Sequence, residues 1–313
     1  MERKNSFRGI MMLLIGSMIW GSAFVAQNKG MDYIGPFTFN GLRFIVGALT
    51  LLPVVIISDI VQKKRLNVQK SSSEKKQELR YTIKAGIICG AVLFVPSTLQ
   101  QIGLMETSPG KSGFITAMYI VSVPILGLFL GKRAGINVWL GVGLAIIGLY
   151  LLCVTEQLTI TSSDTITLIS VLFWGVQILT IDHYSEKINC IKLAFMEFIV
   201  SGILSFIPMF IFETPTIASI KACAIPLLYV GIFSCGIAYT LQPAGQKYTT
   251  ANVASLIMSL ESVFAAVTGY IVLHDALTKR ELIGCAFMFA AVLLAQFSFT
   301  RKKDSVESSE AAN

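Results

Sequence analysis

The sequence predicts an all-α polytopic membrane protein: ten transmembrane helices arranged as two inverted five-helix repeats. Composition, the spacing of apolar runs and a set of repeated residues each predict it. Of 313 residues 54% are apolar and only 14% charged, against about 25% charged in soluble domains. Mean hydropathy is +0.71 and the isoelectric point near 9.1. A hydrocarbon core about 30 Å thick takes roughly 20 apolar residues per helix, and the chain has length for ten such helices with loops to spare. The net charge of +7 then speaks of orientation, because basic residues collect in cytoplasmic loops; no nucleic acid partner is expected.

The elements follow in order. Arg3, Lys4 and Arg8 precede a first run at 10–28 and imitate a secretory leader, but no small-x-small cleavage site follows, so the run reads as the first span. The second run, 36–58, opens at Gly35-Pro36, a helix-start signal. Residues 59–82 hold Lys63, Lys64, Arg65, Ser71 to Ser73, Lys75, Lys76 and Arg80, and read as a mobile basic loop. Runs at 83–105 and 112–131 are divided by Pro109-Gly110, and 136–155 follows Lys132-Arg133. Thr161 to Asp164 introduce 164–182; then come 193–212, 224–244 after Pro215, 250–272 after Thr249-Thr250, and 281–299. Prolines 53, 96, 124, 208, 226 and 243 fall within runs, where kinks are tolerated if neighbours satisfy the freed carbonyls.

Lys and Arg test the count of ten. With the amino terminus cytoplasmic, nineteen of the 25 basic residues fall in inside segments, five (Lys29, Lys111, Lys221, Lys279, Arg280) fall outside, and Arg43 lies within a span. Both termini are therefore expected in the cytoplasm of a cell-membrane protein.

The chain also repeats itself. Trp20-Gly21 returns as Trp174-Gly175, and 23 residues after each tryptophan stand Arg43-Phe44-Ile45-Val46 and Glu197-Phe198-Ile199-Val200, an offset of 154. Leu99-Gln100, Gly103 and Thr107 return as Leu241-Gln242, Gly245 and Thr249 with offset 142, and Leu140-Gly141 aligns with Ile283-Gly284. Shortening the basic loop accounts for the change in offset. Residues 1–155 thus form a first repeat, 156–300 a second, and 301–313 a cytoplasmic tail. Five spans per repeat is an odd number, so the second copy enters the membrane inverted, a common plan of secondary transporters.

Other chemistries lack their residues. Cys89, Cys153, Cys190, Cys223, Cys235 and Cys285 show no C-x-x-C spacing and read as small apolar residues. Two histidines, His183 and His274, are too few for a zinc centre. No G-x-x-x-x-G-K-[ST] phosphate loop is present. No metal and no cofactor is expected.

Trp20-Gly21-Ser22-Ala23-Phe24, Leu42-Arg43-Phe44, Ser259-Leu260-Glu261-Ser262-Val263-Phe264-Ala265-Ala266, Leu277-Thr278 and Glu281-Leu282-Ile283-Gly284 carry a resemblance over nearly the whole chain. It resembles a ten-span EamA-type member of the drug/metabolite transporter superfamily. The resemblance implies two five-helix repeats around a central cavity and transport of small metabolites, with efflux favoured. Two corners depart from the family pattern. His274-Asp275 stands where an acidic residue often follows span 9, and Lys132 follows Gly131 where the family often has Glu.

Candidate substrate-binding residues are Trp20, Gln100, Tyr119, Trp174, Gln242 and Glu261. Both tryptophans sit mid-span, away from the interfaces that tryptophan favours, each beside a glycine that admits close backbone approach. Gln100 and Gln242 are a matched amide pair that binds ligand or satisfies itself. Glu261 lies roughly 18 Å into span 9 by helix rise, beyond the reach of snorkelling, and its repeat partner is Tyr119; Ser259 and Ser262 are its nearest local hydrogen-bonding candidates. Proton coupling or gating falls to Glu261, Arg43 and Glu197, because ionisable groups inside spans are costly and face the bundle interior.

The function expected is secondary active transport, by alternating access, of a small organic metabolite, amino acid or drug. The alternative is a membrane-embedded enzyme acting on a lipid-linked substrate, for which Asp182-His183 is the one suggestive pair. The chain is not expected to be an enzyme. Partners are the solute and the bilayer, with Gly141, Gly143 and Gly148 suited to close helix packing or to a face between two copies.

Overall fold

The computed structural model describes residues 7–66, 72–153, 161–273 and 278–296, which are helical with no strands. In chain order the helices are α1 (Phe7–Gly30), α2 (Pro36–Leu66), α3 (Ser72–Gly103), α4 (Pro109–Ala117), α5 (Tyr119–Phe129), α6 (Ile136–Cys153), α7 (Ser162–Ser185) and α8 (Cys190–Phe212). There follow α9 (Ile217–Ala222), α10 (Ala224–Tyr229), a π-helical stretch Val230–Ala238, α11 (Tyr239–Gln246), α12 (Ala251–Met258), α13 (Glu261–Leu273) and α14 (Lys279–Gln296).

Eight segments are long and apolar enough to cross a membrane: Phe7–Gly30, Pro36–Ile60, Lys76–Gly103, Pro109–Phe129, Ser162–Ser185, Cys190–Phe212, Ala224–Gln246 and Ala251–Ile271. Ile136–Leu152 is a shorter apolar helix. α14 carries Lys279, Arg280 and Glu281 in its first turn, which dilutes its apolar length. Residues 59–82, expected as a loop, are largely helix: α2 runs on to Leu66 and α3 starts at Ser72. Straight-chain Lys, Gln and Glu there are good helix formers and let an apolar helix continue into water. His274, Asp275 and the 301–313 tail lie outside the described residues.

Helix starts are written locally. Thr161 and Asp164 form a capping box at α7, Asn189 caps α8, and Ser108 caps α4 with Pro109 at its first position. Thr278 and Glu281 close the same reciprocal pair at α14. α2 borrows its cap from elsewhere: Glu213, just past α8, accepts from Phe37 N at 2.9 Å and Thr38 N at 2.8 Å. A carboxylate suits the positive end of a helix dipole. The far end of α2 meets the start of α8 through Asp59 and Lys192, 2.6 Å apart. α2 and α8 therefore pack antiparallel, tied at both ends.

α6 and α14 form a second antiparallel pair, with Asn137 Nδ2 donating to Ala295 O at 2.8 Å and Arg280 stacked over Tyr150. Small residues set their approach: a Cβ on Gly148 would stand 2.9 Å from Gly284 O, and one on Gly141 3.0 Å from Ala291 O. Such close backbones are the usual basis of helix association in lipid.

The remaining helices exchange partners. α1 packs on α13, α12 and α11, whereas α7 packs on α3, α4 and α5. Lys111–Asp164 and Lys132–Asp182, each 2.6 Å, bind the two ends of the α4–α5 rod to α7. The second bridge depends on Gly131, whose φ of +72° is a turn that glycine enters without strain. It ends α5 and swings Lys132 back onto Asp182. Two rods are broken rather than kinked at proline: α4 stops at Met118 (ψ −7°) before α5, and α12 stops at Ser259 (ψ −14°) before α13. Pro124 lies inside α5, beyond the break.

Candidate functional site

A cavity opens where α1, α2, α3, α4, α5, α7, the π-helical stretch, α11, α12 and α13 converge. Its wall holds all six residues singled out for substrate binding, Trp20, Gln100, Tyr119, Trp174, Gln242 and Glu261, together with Arg43. The two broken rods explain part of this convergence. Tyr119 is the first residue of α5 and Glu261 the first of α13, so each break delivers a polar side chain to the cavity.

Glu261 is 5% exposed, and the Tyr119 hydroxyl faces it. The repeat-matched pair thus meets across the cavity. Neither local serine takes that role, since Ser259 Oγ donates to Leu256 O at 2.8 Å and Ser262 Oγ to Ser259 O at 2.6 Å. One carboxyl oxygen of Glu261, Oε1, has no hydrogen bond among the described residues.

Arg43 is 2% exposed and does not snorkel to a surface. It donates to Gln27 Oε1 and lies 4.9 Å from the Phe44 ring centroid, so its charge is held by an amide and an aromatic face. Its Nε has no hydrogen bond among the described residues. The same is true of the indole N–H of Trp20 and of Trp174. Buried polar groups left unpaired cost on the order of 1–3 kcal/mol each, and these three donors and one carboxyl oxygen belong to four residues of the cavity wall.

The amide pair does not satisfy itself. Gln100 Nε2 donates to Thr116 Oγ1 at 2.9 Å, and Gln242 Nε2 donates to Gln177 Oε1 at 3.0 Å. Glu197 is 1% exposed and stands off the cavity wall, reached by Gln177 Nε2 at 3.4 Å. Arg43 and Glu197, matched in the repeat, therefore occupy unlike places, one on the wall and one behind it.

Several wall residues carried no motif: Gln27, Thr116, Gln177, Ser234, Tyr239 and Met258. A helical face drawn through the predicted residues would have reached five of them. Gln27 is seven residues from Trp20, Gln177 three from Trp174, Tyr239 three from Gln242, Thr116 three from Tyr119 and Met258 three from Glu261, spacings that share one helix side. Ser234 was not reachable that way, because it lies in the π-helical stretch, where the 3.6-residue period fails. Tyr239 ties the wall together, edge-on to Trp20 at 5.1 Å and to Phe198 at 5.7 Å.

Asp182, half of the pair that suggested an enzyme, is engaged by Lys132, the residue that departs from the family pattern. No cluster of three metal-ligating side chains occurs among the described residues.

An all-helical bundle with eight membrane-length segments and an internal cavity is the architecture of a multi-pass membrane protein. The chain belongs to the EamA-like transporter family, which matches residues 7–154 and again 161–297. Among its relatives, an uncharacterized transporter of Archaeoglobus fulgidus is 30% identical over 90% of this chain and 83% of its own length. The uncharacterized transporter YoaV of Bacillus subtilis is 24% identical, covering 92% of this chain and 96% of its own. A solved crystal structure superimposes with a TM-score of 0.70 over 92% of this chain and 96% of that one at 14% identity, a likeness of fold.

Proposed function

We propose that this transporter is a secondary active exporter of a small organic solute, a metabolite, amino acid or drug, that exchanges it for protons by alternating access. Ten spans form two inverted repeats, 1–155 and 156–300, with both termini cytoplasmic in the cell membrane. The observation that carries the reading is the cavity: both repeats contribute its wall, and Trp20 with Trp174, Gln100 with Gln242, and Tyr119 with Glu261 are matched positions. The antiparallel pairing of α2 with α8 and of α6 with α14 supports the inversion, because these are the second and fifth helices of each repeat. The family match to each half separately supports the duplication.

Substrate contacts fall to Trp20, Gln100, Tyr119, Trp174, Gln242 and Glu261. The donors of Trp20, Trp174 and Arg43 suit a carboxylate or carbonyl, and the open oxygen of Glu261 suits an ammonium or hydroxyl. Glu261 exchanges a proton for the cationic end of the solute, so binding of one expels the other.

A thermal-shift screen of the purified chain against amino acids, amines and carboxylates identifies the solute, since a ligand specific to the folded state raises apparent stability. Flux of that solute in proteoliposomes under an imposed pH gradient then tests coupling. Wild type responds to the gradient and Glu261→Gln does not; a gradient-insensitive wild type removes the proton-exchange reading.

A further inference from the structure

Glu197 is a buried carboxyl that the cavity does not touch. Its Oε2 has no hydrogen bond and no ion pair includes it among the described residues. The groups around it are Gln177 from α7, Cys89 from α3, Cys235 from the π-helical stretch and Tyr239 from α11, with Arg43 of α2 sharing Cys235 and Tyr239 as neighbours and Glu261 of α13 sharing Tyr239. Arg43 brings the only fixed charge in that set.

A line of amides joins Glu197 to the cavity. Gln177 Nε2 donates to Glu197 Oε1, Gln177 Oε1 accepts from Gln242 Nε2, and both glutamines are on the cavity wall. Every N–H in this line points toward Glu197, which leaves the Gln242 carbonyl oxygen for the cavity. The direction suits an ionised Glu197, because a carboxylate only accepts hydrogen bonds whereas a carboxylic acid also donates one. A proton taken by Glu197 Oε1 gives an O–H that donates to Gln177 Oε1. Gln177 then turns its N–H to Gln242 Oε1, and the Gln242 N–H faces the cavity instead of its oxygen. Chains of buried hydrogen bonds reinforce one another in this way.

We infer that Glu197 is a proton-binding site set behind the cavity wall, and that Gln177 and Gln242 convey its occupancy as a reversal of the hydrogen-bond polarity offered to the solute. The charge-bearing wall shows an acceptor to an ammonium or hydroxyl, and the protonated state shows a donor to a carboxylate or carbonyl. Arg43, the matched residue in the first repeat, cannot play this part because guanidinium does not give up its proton. The inference deepens the proton-exchange reading by adding a second carboxyl with a separate role.

Infrared difference spectroscopy of the full chain in lipid bilayers, between alkaline and acidic pH, tests it without a known solute. The expected spectrum contains a carboxylic C=O band that is lost in Glu197→Gln, moved in Glu197→Asp and Gln177→Leu, and kept in Glu261→Gln. With 13C at the glutamine side-chain carbonyl, an amide band lost in Gln242→Leu shifts over the same pH interval as the carboxyl band, and stops shifting in Glu197→Gln and Glu197→Asp or when Gln177 is replaced by Leu. A carboxyl band indifferent to Glu197, or a Gln242 band that shifts without it, overturns the inference. Solute flux indifferent to Glu261→Gln, with these bands intact, overturns the proton exchange at Glu261 and leaves this inference standing.

Discussion

Phe44 and Phe198, 154 residues apart and matched in the two repeats, stack on each other with ring centroids 5.8 Å apart and planes within 17°. Each is fully buried, and each directly follows the ionisable residue of its span, Arg43 or Glu197. Contact between matched residues places them on the line about which two inverted copies would be related. The stack centres the α2–α8 pair, which Glu213 holds at one end and Asp59 with Lys192 at the other.

Removing either ring leaves a cavity in a closed helix interface. Phe44→Ala and Phe198→Ala should each cost about 3–5 kcal/mol, and the double variant should fall short of their sum by roughly 0.5–1.5 kcal/mol. A double-mutant cycle in reversible denaturation checks this; strict additivity would mean the rings do not act as a pair.

The matched glycines Gly21 and Gly175 should respond differently to the same substitution. A Cβ at Gly21 stands 2.5 Å from Glu261 O and 2.7 Å from Ala265 N, both backbone. A Cβ at Gly175 runs into the Ser122 side chain and lies 3.0 Å from Leu126 Cδ1. Gly21→Ala should therefore lose about 1–3 kcal/mol or more with no side-chain rescue, and should displace Glu261 from the cavity. Gly175→Ala should recover most of its loss when Ser122 is replaced by glycine, as read by melting of the detergent-solubilised protein.

Tyr119→Phe removes the hydroxyl that meets Glu261 and keeps the ring. The loss should be about 1–3 kcal/mol in favour of whichever Glu261 state that hydroxyl holds. Solute flux in proteoliposomes should keep its gradient response with a displaced pH profile, in contrast to Glu261→Gln, which abolishes the response. Identical profiles for Tyr119→Phe and wild type would separate the tyrosine from the coupling.

Glu213→Ala strips the borrowed cap from α2, with an expected cost of about 1–2 kcal/mol. Hydrogen exchange should quicken at Phe37 and Thr38 and stay unchanged in α6. Uniform quickening across the chain would mean that the cap supports the whole fold rather than one helix end.

The fold was legible where one physical signal decides it. The apolar runs became helical, those at 112–131, 224–244 and 250–272 in more than one piece, because backbone in lipid must pair its own polar groups, and Gly35-Pro36, Pro109-Gly110 and Thr161 to Asp164 marked helix starts in letters that can be read locally. The cavity was legible through matched pairs, since a residue such as Trp20 in mid-span has no bland interfacial role. The breaks after Ala117 and Met258 were not legible. Neither falls at a proline, and what stabilises them is tertiary: Tyr119 and Glu261 meet from different halves. The bonds of Gln177 to Glu197 and Gln242 were not legible, because only packing supplies those neighbours. Lys132 looked like a departure from pattern and proved to be the partner of Asp182, a contact made by the turn at Gly131.

Side-specific thiol labelling of a cavity residue tests the central claim most directly. In a chain whose six cysteines are replaced by serine, Gln100→Cys is exposed to a membrane-impermeant thiol reagent applied to one face or the other of oriented membranes. Alternating access predicts labelling from both faces, with the balance moving when the pH gradient is reversed. Labelling from a single face under every gradient contradicts it.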